Sequence, residues 1–388
     1  MTKKVAVIGA GITGVTTAYF LAKKGYQVFV YEEEKHPAMK TSFANGGQVS
    51  VSNSEVWTTW SNIKKGIKWI FTKDAPLLIR PRLDFAQWKW IFKFLIHTIK
   101  NEYEKNTVET IKLGLASRDL YKKIIAEEKL SFDMLDSGIL HFYKDEKYFD
   151  SAKKAKSIYN NSGVEWDIVN KDEILKIDDN LNFNGLLGGA WTKSDWTGDI
   201  HKFCYELSNV LKEKYGVMFY FGAKTASLEF ITKEYDAVVV CAGVGSVKLA
   251  SSIGDTLDIY PVKGYSITIN NVPSELLPKV SLLDDQAKIV TATLGNRLRV
   301  AGTAELTGEN YDITRDRVEP LLKWVHTNFP KINTHDYTSW ACLRPMTPNM
   351  LPIVKKSERN SKVFYNTGHG HLGWTLSPET ARQISDII

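Results

Sequence analysis

The sequence predicts an α/β fold. A Rossmann-like dinucleotide-binding domain, discontinuous along the chain, is joined to a second domain with an antiparallel sheet and helices. Three observations predict this class. A glycine-rich turn joins a strand to a helix directly at the N-terminus. Further strands ending in small-residue turns occur in the middle of the chain and near its C-terminus, and the residues between change first to helical and then to strand patterns.

Composition and charge exclude several classes of protein. Hydrophobic residues make up 43% of the 388 residues and charged residues 24%, as in ordinary globular proteins of about two or three domains. The formal net charge of +6 contains no block that would indicate a nucleic-acid-binding arm, but it favours an anionic substrate, an anionic cofactor or a membrane surface. The three cysteines are widely spaced, so we expect neither a disulfide framework nor a metal site. With no apolar leader or spanning run visible, the sequence predicts a cytoplasmic protein.

The N-terminal motif has the order of a dinucleotide-binding unit. Val5–Ile8 is a short apolar strand, and the turn Gly9–Gly14 follows it directly. Val15–Lys24 is predicted to be a helix, and Tyr26–Tyr31 a second strand that ends at Glu32. This order of elements makes the glycine pattern specific, although the motif itself leaves FAD and NAD open.

Each position in this motif has a physical reason. Gly9 permits a tight turn, Gly11 lets the backbone approach a pyrophosphate, and Gly14 lets the helix pack close to the strand. The helix N-terminus offers unpaired N–H groups and a positive dipole end to the phosphates. Glu32 is placed to accept hydrogen bonds from a ribose diol.

Later parts of the chain continue the same architecture. Three further strands are predicted at Gly216–Phe221, Tyr235–Val240 and Lys362–Asn366. The second of these runs into Cys241-Ala242-Gly243, a turn suited to close backbone approach. The third leads to the glycine-rich turn 367–375 and a helix from about residue 378 to 388, whose N-terminus suits another anionic group.

The intervening residues predict the second domain. Residues 53–135 are mostly helical in pattern, and residues 257–343 contain strands. The strands are predicted at Asp258–Ile269, Lys288–Thr293 and Arg297–Gly302, and Gly295-Asn296 forms a hairpin turn between the last two.

A helix predicted over residues 84–100 carries apolar side chains on two sides. One face is predicted to be core, namely Phe85, Trp88, Phe92, Leu95, Ile96 and Ile99. The other side is a candidate membrane contact formed by Trp90, Phe94, Lys89, Lys93 and Lys100 with Trp57, Trp60, Lys64, Lys65, Lys68 and Trp69. A domain interface or a dimer contact is the favoured alternative, because surface aromatics are common.

Several segments resemble bacterial D-amino acid dehydrogenases (small subunit). The matching segments are 41–50, 66–71 with 75–77, 261–266, 343–348, 366–370 and 372–375, and the similarity runs from residue 1 to the C-terminus. These enzymes belong to a broader FAD-dependent group with D-amino acid oxidase, glycine oxidase and sarcosine oxidase. The resemblance implies FAD rather than NAD. It also implies oxidative deamination of a D-amino acid by hydride transfer from Cα to flavin N5, with electrons passed to a respiratory, quinone-type acceptor.

The resemblance also implies a division of the chain and a set of cofactor contacts. The FAD-binding domain would comprise residues 1–52, 150–256 and 336–388, and the substrate domain residues 53–149 and 257–335. The implied FAD contacts include the residues of the N-terminal motif and are Gly9, Gly11, Ile12, Thr13, Gly14, Glu32, Glu33, Thr41, Ser42, Asn45, Gly46, Gly47, Gln48, Ala242, Gly243, Arg344, Gly368, His369, Gly370, His371, Leu372, Gly373, Trp374 and Thr375.

Four side chains are implied at the substrate. Arg344 matches the arginine that pairs with the substrate carboxylate in the broader group, and a guanidinium fork suits that role because it binds a carboxylate with two parallel hydrogen bonds. A structural salt bridge is the alternative. Tyr265 is a candidate donor to the carboxylate, His371 lies about where glycine oxidase carries an arginine, and Gln48 is a candidate contact of the flavin or substrate. A packed tyrosine or a turn-bonded histidine is the ordinary alternative.

The sequence departs from the family pattern at two sites. Cys342 stands where these dehydrogenases often carry glycine and where sarcosine oxidases carry a cysteine bonded to the flavin. Non-covalent FAD is the prediction and a covalent link through Cys342 the alternative, because free cysteines are usually small buried residues. The substrate-binding tyrosine of glycine oxidase falls near Ala287 or Lys288 and is absent.

Other functions stay open at this stage. Related flavoenzymes acting on D-proline, hydroxyproline, glycine, sarcosine or opines would share these features. A flavin-bearing subunit without a substrate of its own is a rival from another class, and an NAD-dependent dehydrogenase is a distant third. We also expect a peripheral contact with the inner face of the cell membrane to be compatible with the cytoplasmic prediction.

Overall fold

A computed structural model describes residues 2–70 and 77–388 of the chain. Of the family-like segments at 66–71 and 75–77, residues 71, 75 and 76 therefore lie outside the described residues.

The strands are distributed along the whole chain. In chain order they are β1 (Lys4–Ile8), β2 (Gln27–Glu32), β3 (Gln48–Val49), β4 (Leu77–Ile79), β5 (Ile139–Tyr143), β6 (Asp167–Asn170), β7 (Gly188–Thr192), β8 (Trp196–Thr197), β9 (Met218–Phe221), β10 (Ala237–Val240), β11 (Tyr260–Ile269), β12 (Ser281–Asp284), β13 (Ile289–Leu294), β14 (Arg297–Leu306), β15 (Tyr337–Met346), β16 (Ile353–Lys356) and β17 (Val363–Thr367).

The helices alternate with the strands at both ends and cluster in the first third of the chain. They are α1 (Ile12–Lys23), α2 (Trp60–Ile70), α3 (Phe85–Ile99), α4 (Tyr103–Glu128), α5 (Glu146–Asn161), α6 (Lys171–Ile177), α7 (Ile200–Tyr215), α8 (Leu228–Glu234), α9 (Ser246–Ser251), α10 (Arg315–Asn328) and α11 (Gly373–Asp386).

A six-stranded sheet draws strands from both ends and the middle of the chain, in the order β16-β17-β10-β1-β2-β9. All neighbours are parallel except the edge strand β16. Ile8 lies opposite Val240 on β10 and Tyr31 on β2, so the turns that follow these strands meet at one edge of the sheet. The predicted discontinuous Rossmann-like domain is thereby confirmed.

Both faces of this sheet are covered by helices, as expected for a doubly wound fold. On one face, alternate side chains of β1 and β2 pack with α1, α7 and α11. On the other face, the intervening residues pack with α8 and α9. Because each strand is buried on both sides, its sequence is a continuous apolar run such as Val5–Ile8.

A larger, mixed sheet forms the second domain, in the order β15-β11-β14-β13-β12-β5-β7-β6, with β4 beside β14. Most pairs are antiparallel, and α10 packs Leu321 and Trp324 into the core on this sheet. The predicted hairpin is present, since Leu294 pairs with Arg297 across Gly295, which has a φ of +64°. This confirms the antiparallel sheet expected beside the dinucleotide-binding domain.

Sheet membership differs from the predicted segments at two places. Strands β6 and β7 lie within residues 150–256, which the resemblance assigned to the FAD-binding domain. They belong to the larger sheet, because β7 pairs with β5 along Ile139–Tyr143. Strand β15 lies within residues 336–388, which were also assigned to the FAD-binding domain, but it pairs with β11 in the larger sheet. The exact domain boundaries stay a prediction.

Two helices begin earlier than the sequence indicates. The helix α1 begins at Ile12 rather than Val15, with Gly11 as its N-cap. The helix α11 begins at Gly373, so Pro378 lies inside it. A proline leaves the carbonyl four residues earlier without its usual N–H donor. Here the Tyr121 hydroxyl donates to the Trp374 carbonyl oxygen at 2.7 Å, so tertiary packing completes the helix.

The prediction for the face of α3 that forms core is wrong. Phe85, Trp88, Phe92 and Ile99 are 84%, 51%, 64% and 66% exposed. The buried face instead carries Trp90 and Phe94, which pack in the cluster around Tyr260 and Met346, and the polar Gln87. Gln87 is fully buried and binds the carbonyl oxygens of Arg80 and Leu306. A buried polar residue at the centre of the covered face is invisible to a hydrophobic pattern.

Among the described residues, no helix has the length and apolar character needed to cross a membrane.

Candidate active site

One continuous cavity of about 1330 Å³ connects the two domains. Its wall begins at the turn after β1, passes the turns after β10 and β17, and continues to Arg344 on β15 and to helices α2 and α3. Pockets for a single small ligand are commonly about 300–1,000 Å³. The cavity is therefore large enough for a dinucleotide together with a small substrate.

The glycines after β1 are required by close contacts. A Cβ on Gly14 would lie 1.8 Å from the Gly9 carbonyl oxygen, so only glycine lets α1 start against the turn. Gly9 has a φ of +102°, and a Cβ there would lie 2.7 Å from the Cys241 carbonyl oxygen. These contacts explain the roles predicted for Gly9 and Gly14 as packing and turn residues.

The predicted phosphate-binding position lies at the start of α1. A Cβ on Gly11 would contact only the Ser42 hydroxyl oxygen, at 3.4 Å, so the space beside this residue opens to the cavity. Ser42 accepts a hydrogen bond from the Ile12 N–H at 3.1 Å, and Thr13 also lines the cavity. Apart from the Ile12 N–H, which is bonded to Ser42, the first N–H groups of the helix therefore face the cavity side of Gly11, which has no side chain of its own.

Glu32 stands at the end of β2, as the sequence predicts. Its two carboxylate oxygens accept from the N–H groups of Ala10 (2.6 Å) and Glu34 (2.9 Å). Burial raises the pKa of Glu32, and these two backbone hydrogen bonds oppose that rise. Each carboxylate oxygen keeps a further lone pair for a ribose hydroxyl. The neighbouring Glu33, also on the cavity wall, forms an ion pair with Lys40.

The loop 41–48 forms the middle of the cavity wall. Thr41 donates to the Leu343 carbonyl oxygen at 2.8 Å, and Asn45 accepts from the Gly47 N–H at 2.9 Å. Gln48 donates through Nε2 to the Ser281 hydroxyl at 2.7 Å. Gly46 lines the cavity too, whereas Gly14 and Gly47 do not.

The turns after β10 and β17 complete the cofactor-binding part of the cavity. Ala242 and Gly243 line it, and Gly243 has a φ of +54° with open space beside it. After β17, all predicted contacts line the cavity, namely Gly368, His369, Gly370, His371, Leu372, Gly373, Trp374 and Thr375. The α11 N-cap, Leu372, provides no side-chain cap, so the first N–H groups of this helix are available to an anionic group.

His369 has a structural role in this turn. Its ring Nε2 is 2.8 Å from the Thr380 hydroxyl on α11, and its side chain is buried. Burial lowers its pKa to about 3, so the ring is neutral at physiological pH. The histidine therefore ties the turn to α11.

These residues fit FAD. The open space at Gly11, the two helix N-termini that face the cavity and the buried carboxylate of Glu32 provide what a pyrophosphate, a flavin ring and a ribose require. Within residues 2–70 and 77–388, no group of His, Cys, Asp or Glu is arranged to hold a metal ion.

Arg344 lies across strand β11. A Cβ at Gly264 would lie 2.3 Å from its Nη2 atom, so a side chain at 264 would displace the guanidinium. Its Nη1 donates to the Thr303 carbonyl oxygen at 3.1 Å. No carboxylate of the described residues lies within 4 Å of it, and burial lowers its pKa. A partly buried guanidinium without a carboxylate partner is suited to bind one from a ligand.

The backbone that receives Arg344 is irregular. The β11–β14 register shifts between Lys263 and Tyr265, so β14 bulges opposite Gly264. Within the bulge, Thr303 has a φ of +53°, uncommon for a β-branched residue. Bulges and such conformations concentrate at functional sites. This bulge turns the Thr303 carbonyl oxygen toward Arg344, a contact that the sequence does not reveal.

Tyr265 lines the cavity, but its hydroxyl has partners on the opposite side. It donates to Glu305 Oε2 at 2.9 Å. Glu305 also pairs with the buried Lys263 at 3.2 Å and Arg317 at 3.3 Å. The Tyr265 hydroxyl is thus bonded within the buried ion network of Glu305, and it does not contact the guanidinium of Arg344.

His371 is close to Arg344 and stacks on Trp57 with ring centroids 4.8 Å apart. Its Nε2 is buried and has no hydrogen-bond partner among the described residues. Burial, followed by the charges of Arg344 and Lys288, lowers its pKa to about 3. The ring is therefore neutral, and the residue lines the cavity with its Nε2 unpaired among the described residues.

A polar cluster that the sequence did not reveal forms another part of the wall. Asp285 accepts from the Tyr143 hydroxyl at 2.8 Å, lies 3.1 Å from His141 Nδ1, and pairs with Lys288 at 3.3 Å. The charge of Lys288 and the His141 hydrogen bond lower the pKa of Asp285 despite its burial. Lys288, one of the two residues near which the missing tyrosine was expected, is thus paired with a carboxylate.

Glu55 also faces the cavity. It accepts from the Tyr103 hydroxyl at 2.9 Å, and burial raises its pKa. No sequence signal marks Glu55, His141, Tyr143 or Asp285, because they come from a loop, one strand and a turn that only the tertiary fold assembles.

Comparisons with known proteins agree with this geometry. A profile described as FAD dependent oxidoreductase matches residues 4–387. The chain is 45% identical to "D-amino acid dehydrogenase 3" of Mesorhizobium japonicum, over 99% of this chain and 97% of that protein. It is 36% identical to the "D-amino acid dehydrogenase" of Dechloromonas aromatica, over 99% and 96%.

Two solved structures share the fold. The glycine oxidase of Geobacillus kaustophilus superimposes with a TM-score of 0.78 at 19% identity, over 100% of this chain and 95% of that one. The L-alpha-glycerophosphate oxidase of Mycoplasma pneumoniae, a structure with FAD bound, has a TM-score of 0.74 at 16% identity, over 100% and 94%. At these identities the likeness shows the fold alone.

Proposed function

Because the chain belongs to the family of FAD dependent oxidoreductases, we propose that it oxidises a D-amino acid to the imino acid and passes the electrons to a quinone-type acceptor. The guanidinium of Arg344, partly buried on the cavity wall and with no carboxylate of the described residues within 4 Å, carries the proposal for an amino-acid substrate. The D configuration rests on the names of relatives that match the chain over nearly its full length.

The side chains of this chain bind and orient the substrate. Arg344 holds the α-carboxylate with two parallel hydrogen bonds, and its anchoring on the Thr303 carbonyl oxygen fixes the direction of the fork. FAD, when bound, supplies the acceptor for the hydride from Cα. Since the lone pair of a neutral amine drives this transfer, the amine must reach the site unprotonated. His371 is neutral and does not repel it, and its free nitrogen is a candidate acceptor for an amine N–H.

FAD is proposed to bind without a covalent link. Cys342 and Arg344 are two residues apart on β15, and both line the cavity. Burial raises the pKa of the Cys342 thiol, against the opposing charges of Arg344 and Arg299. A thiol kept protonated is a poor nucleophile. Intact mass under denaturing conditions tests this, because a mass increased by one FAD, and lost in Cys342→Ala, would establish the covalent alternative.

The apolar part of the cavity supports a lipophilic acceptor. Beyond Arg344 its wall is formed by apolar side chains of α2, β4 and α3, including Ile63, Ile67, Ile79, Ile91 and Leu95. Such a wall suits a quinone ring better than a charged carrier. We place the protein in the cytoplasm, at the inner face of the cell membrane, where such an acceptor is found.

The decisive experiment is anaerobic mixing of purified holoenzyme with matched D- and L-amino acids, D-proline, cis-4-hydroxy-D-proline, glycine and sarcosine. We expect loss of the visible flavin band with one or more D-amino acids, while their L-enantiomers serve as matched controls. If only glycine or sarcosine bleaches the flavin, the proposed D-amino acid substrate would be wrong and that amine would be the substrate instead. A flavin that dithionite bleaches but no amine does would refute catalysis and favour a subunit without substrate.

A further inference from the structure

An apolar stripe faces outward from α3 and from the residue just before it. The outward stripe consists of Leu83, Phe85, Trp88, Phe92 and Ile99, each at least half exposed. Four of these recur on one side of the helix, opposite Gln87, Trp90 and Phe94, which are packed inward. Scattered surface apolar residues need no explanation, but a stripe of large ones along one helix face indicates a binding surface.

The positive charge of the chain is concentrated in the segment of sequence that carries this stripe. Residues 60–101 contain nine of the 50 Lys and Arg residues and two of the 44 Asp and Glu residues. This segment therefore carries a formal charge of +7, while the remainder of the chain carries −1. Exposed cations within it include Lys64 on α2, Arg80 and Lys100. An apolar stripe surrounded by cations is complementary to a surface with an anionic face and an apolar interior.

The same charge argues against a second copy of this chain as the partner. A symmetric contact through the outward stripe would bring two segments of +7 together, and like charges at an interface oppose association. An anionic lipid bilayer satisfies both features, because its headgroups attract the lysines and arginines while its acyl region accepts Phe and Trp side chains.

The stripe also adjoins the cavity. Trp88 belongs to the outward stripe and lines the cavity wall, and Ile67 of α2 is likewise exposed and part of that wall. The apolar part of the cavity therefore reaches the surface beside the stripe. A bilayer at this surface would deliver a lipophilic acceptor directly to the cavity opening.

We propose that the outward stripe of α3 and the cations of residues 60–101 bind an anionic lipid bilayer, so that the apolar end of the cavity opens into the membrane. The inference rests on the proposed function for the identity of the acceptor, but the lipid contact rests on the exposed side chains and the charge alone. The docked helix would lie in the membrane plane, with the substrate side of the cavity toward water.

The test is co-sedimentation of the holoenzyme with vesicles of phosphatidylcholine, alone or with phosphatidylglycerol. We expect binding to the vesicles that contain phosphatidylglycerol, weakened by high salt. Phe85→Ser/Phe92→Ser should weaken that binding by roughly tenfold or more, because apolar contact is lost. Phe230→Ser, which removes an equally exposed aromatic from α8, should leave it unchanged. Lys64→Glu/Lys100→Glu should weaken binding more than the control Lys331→Glu.

Three results would overturn the proposal. They are absence of binding to anionic vesicles, equal binding by the stripe variant and by Phe230→Ser, or a dimer in sedimentation velocity that the stripe variant dissolves. Amine oxidation with a soluble dye is measured in parallel, and neither Phe85 nor Phe92 lines the cavity. Dye-coupled activity without vesicle binding refutes the surface alone, and vesicle binding without amine oxidation refutes the proposed function alone.

Discussion

The two ends of the cavity are built in different ways. At the dinucleotide end, backbone groups of adjacent residues form the site, and glycines at 9, 11 and 14 make room for them. At the substrate end, side chains from β15, a bulge in β14 and the turn before α11 converge on one space. At the first end, Gly9 and Gly14 have no room for a side chain and Gly11 leaves open space toward the cavity, whereas the second end depends on the chemistry of side chains brought together from distant segments.

The largest expected effect breaks the local end. Gly14→Ala places a methyl group 1.8 Å from the Gly9 carbonyl oxygen, and both are backbone-bound and unable to move apart. We expect the free energy of unfolding to fall by about 4 kcal/mol or more, measured by chemical denaturation of the soluble fraction. Gly11→Ala is the matched control, since its nearest neighbour is at 3.4 Å. It should fold and lose FAD instead, and a stable Gly14→Ala protein would contradict the packing argument.

The next largest effect is a loss of catalytic efficiency at the substrate end, with the fold unchanged. Arg344→Leu should lower kcat/KM by about 2–5 kcal/mol in barrier terms, because the carboxylate loses its charged partner in a buried site. Arg344→Lys should lose less, since it keeps the charge but not the fork. FAD content, measured by absorbance, should be unchanged in both. The exposed Arg359→Leu is the control, and equal kinetics for the two leucine variants would refute the role of Arg344.

Acid sensitivity should arise at the junction between the two ends. Burial lowers the pKa of both His369 and His371 to about 3, below the value of about 6.5 in an unfolded chain. Between these values the unfolded chain binds more protons, so stability is present above pH 6.5 and is lost as pH falls toward 3. We expect the free energy of unfolding to fall by a few kcal/mol between neutral pH and about pH 4.5, measured by chemical denaturation at each pH.

The variant His369→Gln separates this effect from general acid denaturation. It removes one titrating ring while leaving a side chain that is able to bond to Thr380. Its stability should depend less on pH than that of the wild type across the same interval. An identical pH dependence in both proteins would show that His369 does not contribute to the loss.

The smallest effect sharpens the description of the substrate end. Glu55 presents a carboxylate to the cavity beside the Asp285–Lys288 pair. Glu55→Gln should shift the ratio of kcat/KM between D-amino acids with donor side chains and those with apolar side chains by about 1 kcal/mol. Glu104→Gln, on the exposed surface of α4, is the control. An unchanged ratio would place the substrate side chain away from Glu55.

Whether a feature depends on neighbouring or on distant residues explains which predictions succeeded. The predicted strands at 5–8 and 235–240 and the hairpin at Gly295-Asn296 are present because neighbouring residues determine them. Arg344 lines the cavity as expected, but its support by Thr303 follows from a bulge between two strands. The face of α3 was wrong because periodicity shows which side chains share a face, and only the partner decides which face is covered.

By itself, the sequence determined the glycine-rich turn after β1, because a glycine that must fit against a nearby carbonyl, as Gly14 does against Gly9, is a property of a few consecutive residues. It also determined the strand–helix order and the charge excess of residues 60–101. The tertiary structure alone decided that β6 and β7 join the larger sheet, that Tyr265 donates to Glu305, and that Asp285 and Lys288 meet at the cavity. The physical reason is that hydrogen bonds and burial between distant segments depend on how the two sheets are placed, which no local pattern encodes.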